Sequence, residues 1–216
     1  MSARGQTHIE EPSAAERTIA RRTAEARATI PDLELSVEAD VTRRFELFDV
    51  SLTALLVAAC AGALRAVPRA NGAYRDGRFE LYSRVNVGVV LASEEAYVIP
   101  TVFDADTKSP RELTGEIAEL ELAARERRLA PPAFSGGTFT LWDAGTLGLS
   151  RAGIVINPPQ VAALAAGVPR EVATLNGSAL QTIRQMTLTL ACDHRMLYGA
   201  HAASFLGAVK AALESG

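Results

Sequence analysis

The 216-residue sequence predicts an α+β fold, a two-layer sandwich in which helices cover one mixed β-sheet. Three observations lead there. Strand patterns follow one another at 78–82, 85–91 and 96–102, which alternating βαβ units would not give. Residues 182–192 alternate throughout, with Met186, Leu188, Leu190 and Cys192 on one face and Thr187, Thr189 and Ala191 on the other. No repeat, low-complexity tract or linker divides the chain, so one domain is expected over 12–216, after a polar tail at 1–11.

The elements can be justified in order. Ser13 and Glu16 form a capping box that opens a basic helix. Ile19 with Ala20, Ala24 and Ala28 gives it a thin apolar stripe, and Pro31 stops it. Leu33, Leu35, Val37 and Ala39 alternate with polar residues as a half-buried strand. Residues 51–66 form an Ala-rich helix, apolar on most of its surface, and Pro68 ends the segment. Past the three middle strands, 109–128 is a charged amphipathic helix with Leu113, Ile117, Leu120 and Leu122 as its core face. Strands at 138–142 and 161–168 precede the long alternating one, and a helix at 200–214 closes the chain.

Bulk properties exclude several classes. A net charge of -3 and a pI near 5.7 offer no nucleic-acid or anionic-membrane surface. No apolar run reaches the roughly 18 residues that span a bilayer. The N-terminus lacks the apolar core of a secretory signal, so a cytoplasmic protein is expected. Cys60 and Cys192 lie in apolar runs and read as buried free thiols.

Candidate chemistry is sparse. There is no phosphate-binding loop, no nucleophile elbow and no His/Cys/Asp/Glu set with metal-ligand spacing, so no metal is expected. Of three histidines, His8 falls in the tail and His201 in the last helix, as an exposed or interface residue. His194 falls between the long strand and the last helix, flanked by Asp193 and Arg195. Such a His can pack or cap a turn, and it can also serve as a general base near neutral pH.

The stretch Asp193-His194-Arg195-Met196-Leu197-Tyr198-Gly199 resembles the Asp-His-Arg-x-x-Asp-Gly motif of dihydrolipoamide acyltransferases. These form the core of 2-oxo acid dehydrogenase complexes and share the chloramphenicol acetyltransferase fold. Val85-Asn-Val-Gly-Val, Val98-Ile-Pro-Thr-Val, Asp104-Ala-Asp, Gly136-Gly-Thr-Phe-Thr and Ile156-Asn-Pro-Pro-Gln-Val-Ala resemble the same family, in its order, over roughly 13–214. The resemblance implies a homotrimer with each active site between two subunits, acetyl-CoA as co-substrate, His194 as general base and no covalent acyl-enzyme.

Three departures stand out. Tyr198 occupies a position the family gives to Asp or Asn, and it can donate through its hydroxyl or simply pack. Trp142 occupies the position of the Ser that donates to the oxyanion. Its indole N–H can donate, and its ring can equally fill the core. The family's helix after the first long strand is largely missing between Val41 and Val50.

His194, Tyr198 and Trp142 are therefore the expected catalytic residues, supported by Asp193, Arg195, Gly199, Asp143 and Thr140. Asp193 and Arg195 are expected to orient the turn by pairing, Asp143 to hold a turn, and Gly199 to supply backbone geometry. The sequence carries no lipoyl domain. That, with the departures, favours a free-standing O-acyltransferase acting on a small hydroxylated molecule, as the similar tetronate-pathway acetyltransferases do. A dihydrolipoamide acyltransferase core and a non-catalytic scaffold of the same fold are the alternatives.

Overall fold

Apolar alternation and helix caps place most elements where the sequence puts them. The computed structural model describes residues 5–46, 49–92 and 97–215. In chain order these are α1 (Ala14–Thr29), β1 (Asp32–Asp40), α2 (Leu52–Ala66), β2 (Gly72–Arg75), β3 (Arg78–Leu81), β4 (Val87–Val89) and β5 (Leu91–Ala92). There follow β6 (Tyr97–Val98), β7 (Thr101–Val102), α3 (Pro110–Arg125), β8 (Phe139–Asp143), β9 (Ala162–Ala166), β10 (Arg170–Asn176), β11 (Ala179–Asp193) and α4 (Gly199–Glu214).

The main sheet runs β1-β11-β9-β8-β4-β7, with β10 paired to the first half of β11. It is mixed: β8 lies parallel to both β4 and β9, and the other pairs are antiparallel. The large core joins α2, α3 and α4 to one face of this sheet. A smaller apolar cluster of Ile30, Ile154, Ile156, Ala163, Ala165 and Ala191 lies on the other face, with Trp142 packed against it. The two-layer sandwich is the expected one.

β11 is the organising strand. From Met186 to Asp193 every residue is buried, on both faces, because helices cover one side and the small cluster meets the other. Truncating Leu188 or Leu190 to Ala would cost about 2–5 kcal/mol. Its alternation was visible because Thr187 and Thr189 find polar partners: Thr187 Oγ1 donates to Glu38 Oε1 at 2.9 Å, and Thr189 and Ser36 hydroxyls lie 3.4 Å apart.

Several elements differ from expectation. The strand expected at 85–91 divides into β4 and β5, and that at 96–102 into β6 and β7, because Pro100 has no N–H for the ladder. Ala96 lies outside the described residues, as do residues 1–4 of the expected tail; residues 5–11 are exposed and without regular structure. Ala20, Ala24 and Ala28 are exposed. The inward side of α1 is instead Ile19, Thr23 and Ala26, leading to Ile30. Leu122 is 53% exposed, and Ala124 takes the inward position on α3 beside Leu113 and Ile117.

Strands β2 and β10 were not expected. Asp76 and Gly77 link β2 to β3 with φ of 49° and 74°, the left-handed pair of a two-residue hairpin turn. Between Val41 and Val50 the chain makes a 3-10 turn, Thr42–Glu46, and residues 47–48 lie outside the described set. Arg44 donates there to the backbone oxygens of Ala212, Leu213 and Ser215, covering the carbonyl end of α4.

Candidate active site

The turn after β11 is held from several directions. The N–H of Asp193 donates to Val161 O, just before β9, and that of His194 to Pro31 O, just before β1. Asp193 O accepts from the N–H groups of both Met196 and Leu197. Met196 and Leu197 are completely buried and anchor the turn below. The Asp193 side chain, 1% exposed, takes a two-pronged hydrogen bond from Arg195, Nε to Oδ1 at 2.9 Å and the terminal nitrogen to Oδ2 at 2.6 Å. That fork geometry is the strong form of the pair. Hydrogen bonding to Asp193 raises the pKa of Arg195.

The hairpin β2–β3 backs this turn. The Arg195 guanidinium lies 4.6 Å from the centre of the Tyr74 ring. Gly72 makes the approach possible: a Cβ there would sit 2.3 Å from Glu80 O and 2.8 Å from Met196 Cε. Gly199 is different. A Cβ there meets nothing within 4 Å and its φ is not left-handed, so neither space nor backbone demands glycine, contrary to expectation.

His194 is exposed, and its imidazole makes no hydrogen bond or ion pair with a described residue. Tyr198 stands beside it, with ring centres 6.1 Å apart at 76°. Asp193, Arg195, His194, Tyr198 and Gly199 are therefore one local unit.

The second group stands on β8. Thr140 and Trp142 face the small cluster, whereas Asp143 faces the helices. Thr140 Oγ1 donates to Gln160 Oε1 at 2.7 Å and accepts from Asn157 Nδ2 at 3.2 Å, and Gln160 Nε2 donates to Gly137 O at 3.2 Å. A cleft of about 420 Å³ opens over Trp142, with Ile99, Leu147, Ile154 and Val155 in its wall. A second cleft of about 650 Å³ shares Arg22, Tyr97, Ile99, Thr140 and Asn157 with it, so the two run together. The indole N–H of Trp142 has no hydrogen-bond partner among the described residues.

Asp143 is not in either cleft. Its Oδ2 accepts from Thr53 Oγ1 on α2 at 2.8 Å. Burial pushes the carboxyl pKa up, against the opposing hydrogen bond from Thr53, and Oδ1 is buried with no hydrogen-bond partner among the described residues. Its backbone oxygen accepts from Thr146 Oγ1, which fits the expected turn-holding role.

One chain does not bring the two groups together. Trp142 aligns with Ala165, and Ala165 with Thr189, across two strand spacings. His194 lies five residues beyond Thr189, just past the end of β11, which puts it roughly 20 Å from Trp142 by ladder geometry. Neither cleft includes His194. Sequence reasoning named the β8 residues but missed Arg22, Asn157 and Gln160, which line the clefts. Asn157 and Gln160 stood in the quoted Asn-Pro-Pro-Gln motif, whose central bond, Pro158–Pro159, is cis.

Cys60 and Cys192 are free and buried, and burial pushes them up to about 12 and about 11. Among the described residues no group of three or more His, Cys, Asp or Glu side chains could hold a metal ion. Among the same residues no helix is long and apolar enough to cross a membrane.

Comparison with known proteins adds to this geometry. The family model of the 2-oxoacid dehydrogenases acyltransferase catalytic domain matches residues 5–216. The dihydrolipoyllysine-residue acetyltransferase component of the pyruvate dehydrogenase complex of Rickettsia bellii is 32% identical over a 210-residue alignment that covers 91% of this chain and 50% of that protein. The chain thus spans about half the length of the curated relatives it matches. A probable dihydrolipoamide acetyltransferase from Listeria monocytogenes is 27% identical with a TM-score of 0.90, covering 98% of this chain and 96% of that one. The cubic core of the pyruvate dehydrogenase multienzyme complex is 26% identical with a TM-score of 0.91, covering 99% and 94%. Chloramphenicol acetyltransferase, 17% identical with a TM-score of 0.59 over 89% and 94%, shares the fold. The tetronate expectation draws no support from these comparisons.

Proposed function

The chain belongs to the catalytic-domain family of the 2-oxoacid dehydrogenase acyltransferases, and we propose that it transfers an acyl group, acetyl foremost, between coenzyme A and a dihydrolipoyl thiol. The observation that carries this reading is the exposed imidazole of His194, held just past the buried half of β11 and engaged by no hydrogen bond to a described residue. In the proposed reaction its free nitrogen takes the proton of the acceptor thiol. The thiolate attacks the thioester carbonyl and a tetrahedral oxyanion forms. Collapse expels the thiolate of coenzyme A, which recovers the proton from the imidazolium. Acyl-CoA and thiol become acyl-thiol and coenzyme A, with no acyl-enzyme.

The roughly 20 Å between His194 and Trp142 leaves each half-site incomplete within one chain. The proposal is a homotrimer in which His194 of one copy faces the Trp142 cleft of the next. Trp142 then donates its indole N–H to the oxyanion, where the family has Ser, and Thr140 shapes the cleft floor. A particle three times the 22.9 kDa chain mass in sedimentation equilibrium supports this, and an active monomer overturns it.

The test of the function is direct. Purified protein is mixed with acetyl-CoA and dihydrolipoamide, and S-acetyl product is followed. Turnover is expected, with kcat reduced about 10²–10⁴-fold in His194→Ala. A second reading, a small-molecule hydroxyl as acceptor, is favoured by the apolar wall around Trp142. It replaces the first if dihydrolipoamide is inert while a primary alcohol is acetylated. Full retention of turnover in His194→Ala would refute both.

A further inference from the structure

We propose that Tyr198 is a positioning residue: it fixes the imidazole of His194 by ring packing, and a stack of Phe79, Arg69 and His201 holds Tyr198 in turn. The inference rests on His194 being the base.

The backbone gives the first reason. Tyr198 is the N-cap of α4, with φ -73° and ψ 163°, and its side chain makes no capping hydrogen bond. Asp, Asn, Ser or Thr would satisfy an orphan N–H there. A ring at this position forgoes that contact, so its use lies elsewhere. It is 45% exposed, so burial of apolar surface does not account for it either.

The contacts give the second. The centres of the His194 and Tyr198 rings lie 6.1 Å apart at 76°, the edge-to-face arrangement that aromatic quadrupoles favour. No described residue hydrogen-bonds the imidazole, and the Tyr198 ring is packed against it within the chain. Behind Tyr198, the His201 ring lies 5.8 Å away at 59°. The Nδ1 of His201 is buried with no hydrogen-bond partner among the described residues. The Arg69 guanidinium lies 6.0 Å from the Tyr198 ring centre and 5.0 Å from that of Phe79. Arg69 has no ion pair with a described residue, so its charge is spent on the two rings.

The stack has a fixed base. Phe79 stands opposite Tyr74 in the β2–β3 pair, and Arg195 covers Tyr74. The hairpin therefore braces both ends of the His194 turn, at Arg195 and at Tyr198.

The experiment compares Tyr198→Phe, Tyr198→Ala and Arg69→Met with the unaltered protein and with His194→Ala, all shown by melting to be folded. For each, kcat, KM and the pH midpoint of kcat/KM are measured with acetyl-CoA and the acceptor found active. Tyr198→Phe should stay within about threefold, while Tyr198→Ala should lose roughly 10²-fold in kcat at near-constant KM. The pH midpoint should move in Tyr198→Ala and return in Tyr198→Phe. Arg69→Met should lie between them. If His194→Ala is dead but Tyr198→Ala keeps its kcat and midpoint, the positioning role fails and the base stands. If Tyr198→Phe falls as far as Tyr198→Ala, the hydroxyl and not the ring is the acting group, and the proposal is overturned. An active His194→Ala removes the underlying reading itself.

Discussion

Arg195 grips Asp193 with two parallel hydrogen bonds while its guanidinium rests 4.6 Å from the centre of the Tyr74 ring. The residues on either side of His194 are thus tied to each other and to the β2–β3 hairpin. Consequences at this turn, on β8 and along β11 can be measured.

Asp193→Asn should destabilise the fold by about 2–3 kcal/mol, because a buried pair loses one charge while Arg195 keeps partial access to water. At roughly 2–4 °C per kcal/mol for this size, the melting temperature should fall by about 4–12 °C. Arg195→Lys keeps the charge but loses the fork and the contact with Tyr74, so it should also lower activity. Unchanged melting in Asp193→Asn would show that the pair contributes nothing.

Trp142→Phe retains a ring in the cleft wall but removes the indole N–H. If that group serves the oxyanion, kcat should drop about 10²-fold with little change in KM. Equal kcat values in the two proteins would mean that Trp142 is only wall.

Cys192 sits two residues before His194, yet its thiol is pushed up to about 11 by burial and by the nearby carboxylates of Asp193 and Asp32. The thiolate is scarce at neutral pH, and Cys60, at about 12, is more inert still. Neither should react with an aromatic disulfide reagent until the protein unfolds. Cys192→Ser should retain turnover; its loss would implicate the thiol in the reaction.

Asp143 gives a pH signature. Its folded pKa is raised above the ordinary 3.8, so the fold favours the protonated form. That contribution is full at pH below 3.8 and is lost as pH rises through the folded pKa. Asp143→Asn keeps an acceptor for Thr53 and removes the buried charge. It should raise stability by roughly 1 kcal/mol at pH 7, and the gain should vanish in acid. Denaturant unfolding at both pH values tests this. A loss at pH 7 would mean that the charge is held by its hydrogen bonds.

The strand that carries His194 was legible because its alternation is long and its polar face is threonine, which betrays the period. β10 was not, since Arg170, Glu171 and Thr174 belong to no apolar period and only the Asn176-Gly177 dipeptide marked the turn. Leu122 looked like core because a leucine on an amphipathic helix usually is, but its angle on α3 points away from the sheet. The site itself was half legible. His194 announced itself by its motif, whereas Arg69, Phe79 and His201 acquire meaning only when the hairpin folds back against the start of α4. No local pattern encodes that meeting.

β11 pairs with β1 on one side and with β9 and β10 on the other, over 15 residues. Such a strand has no partial way to open: releasing its last residues means unzipping neighbours that the whole sheet depends on. Amide protons from Met186 to Asp193 should therefore exchange with deuterium only when the entire molecule opens. His194 inherits that timing. Heat should extinguish turnover and fold in one transition, with no interval in which a folded molecule has already lost its base.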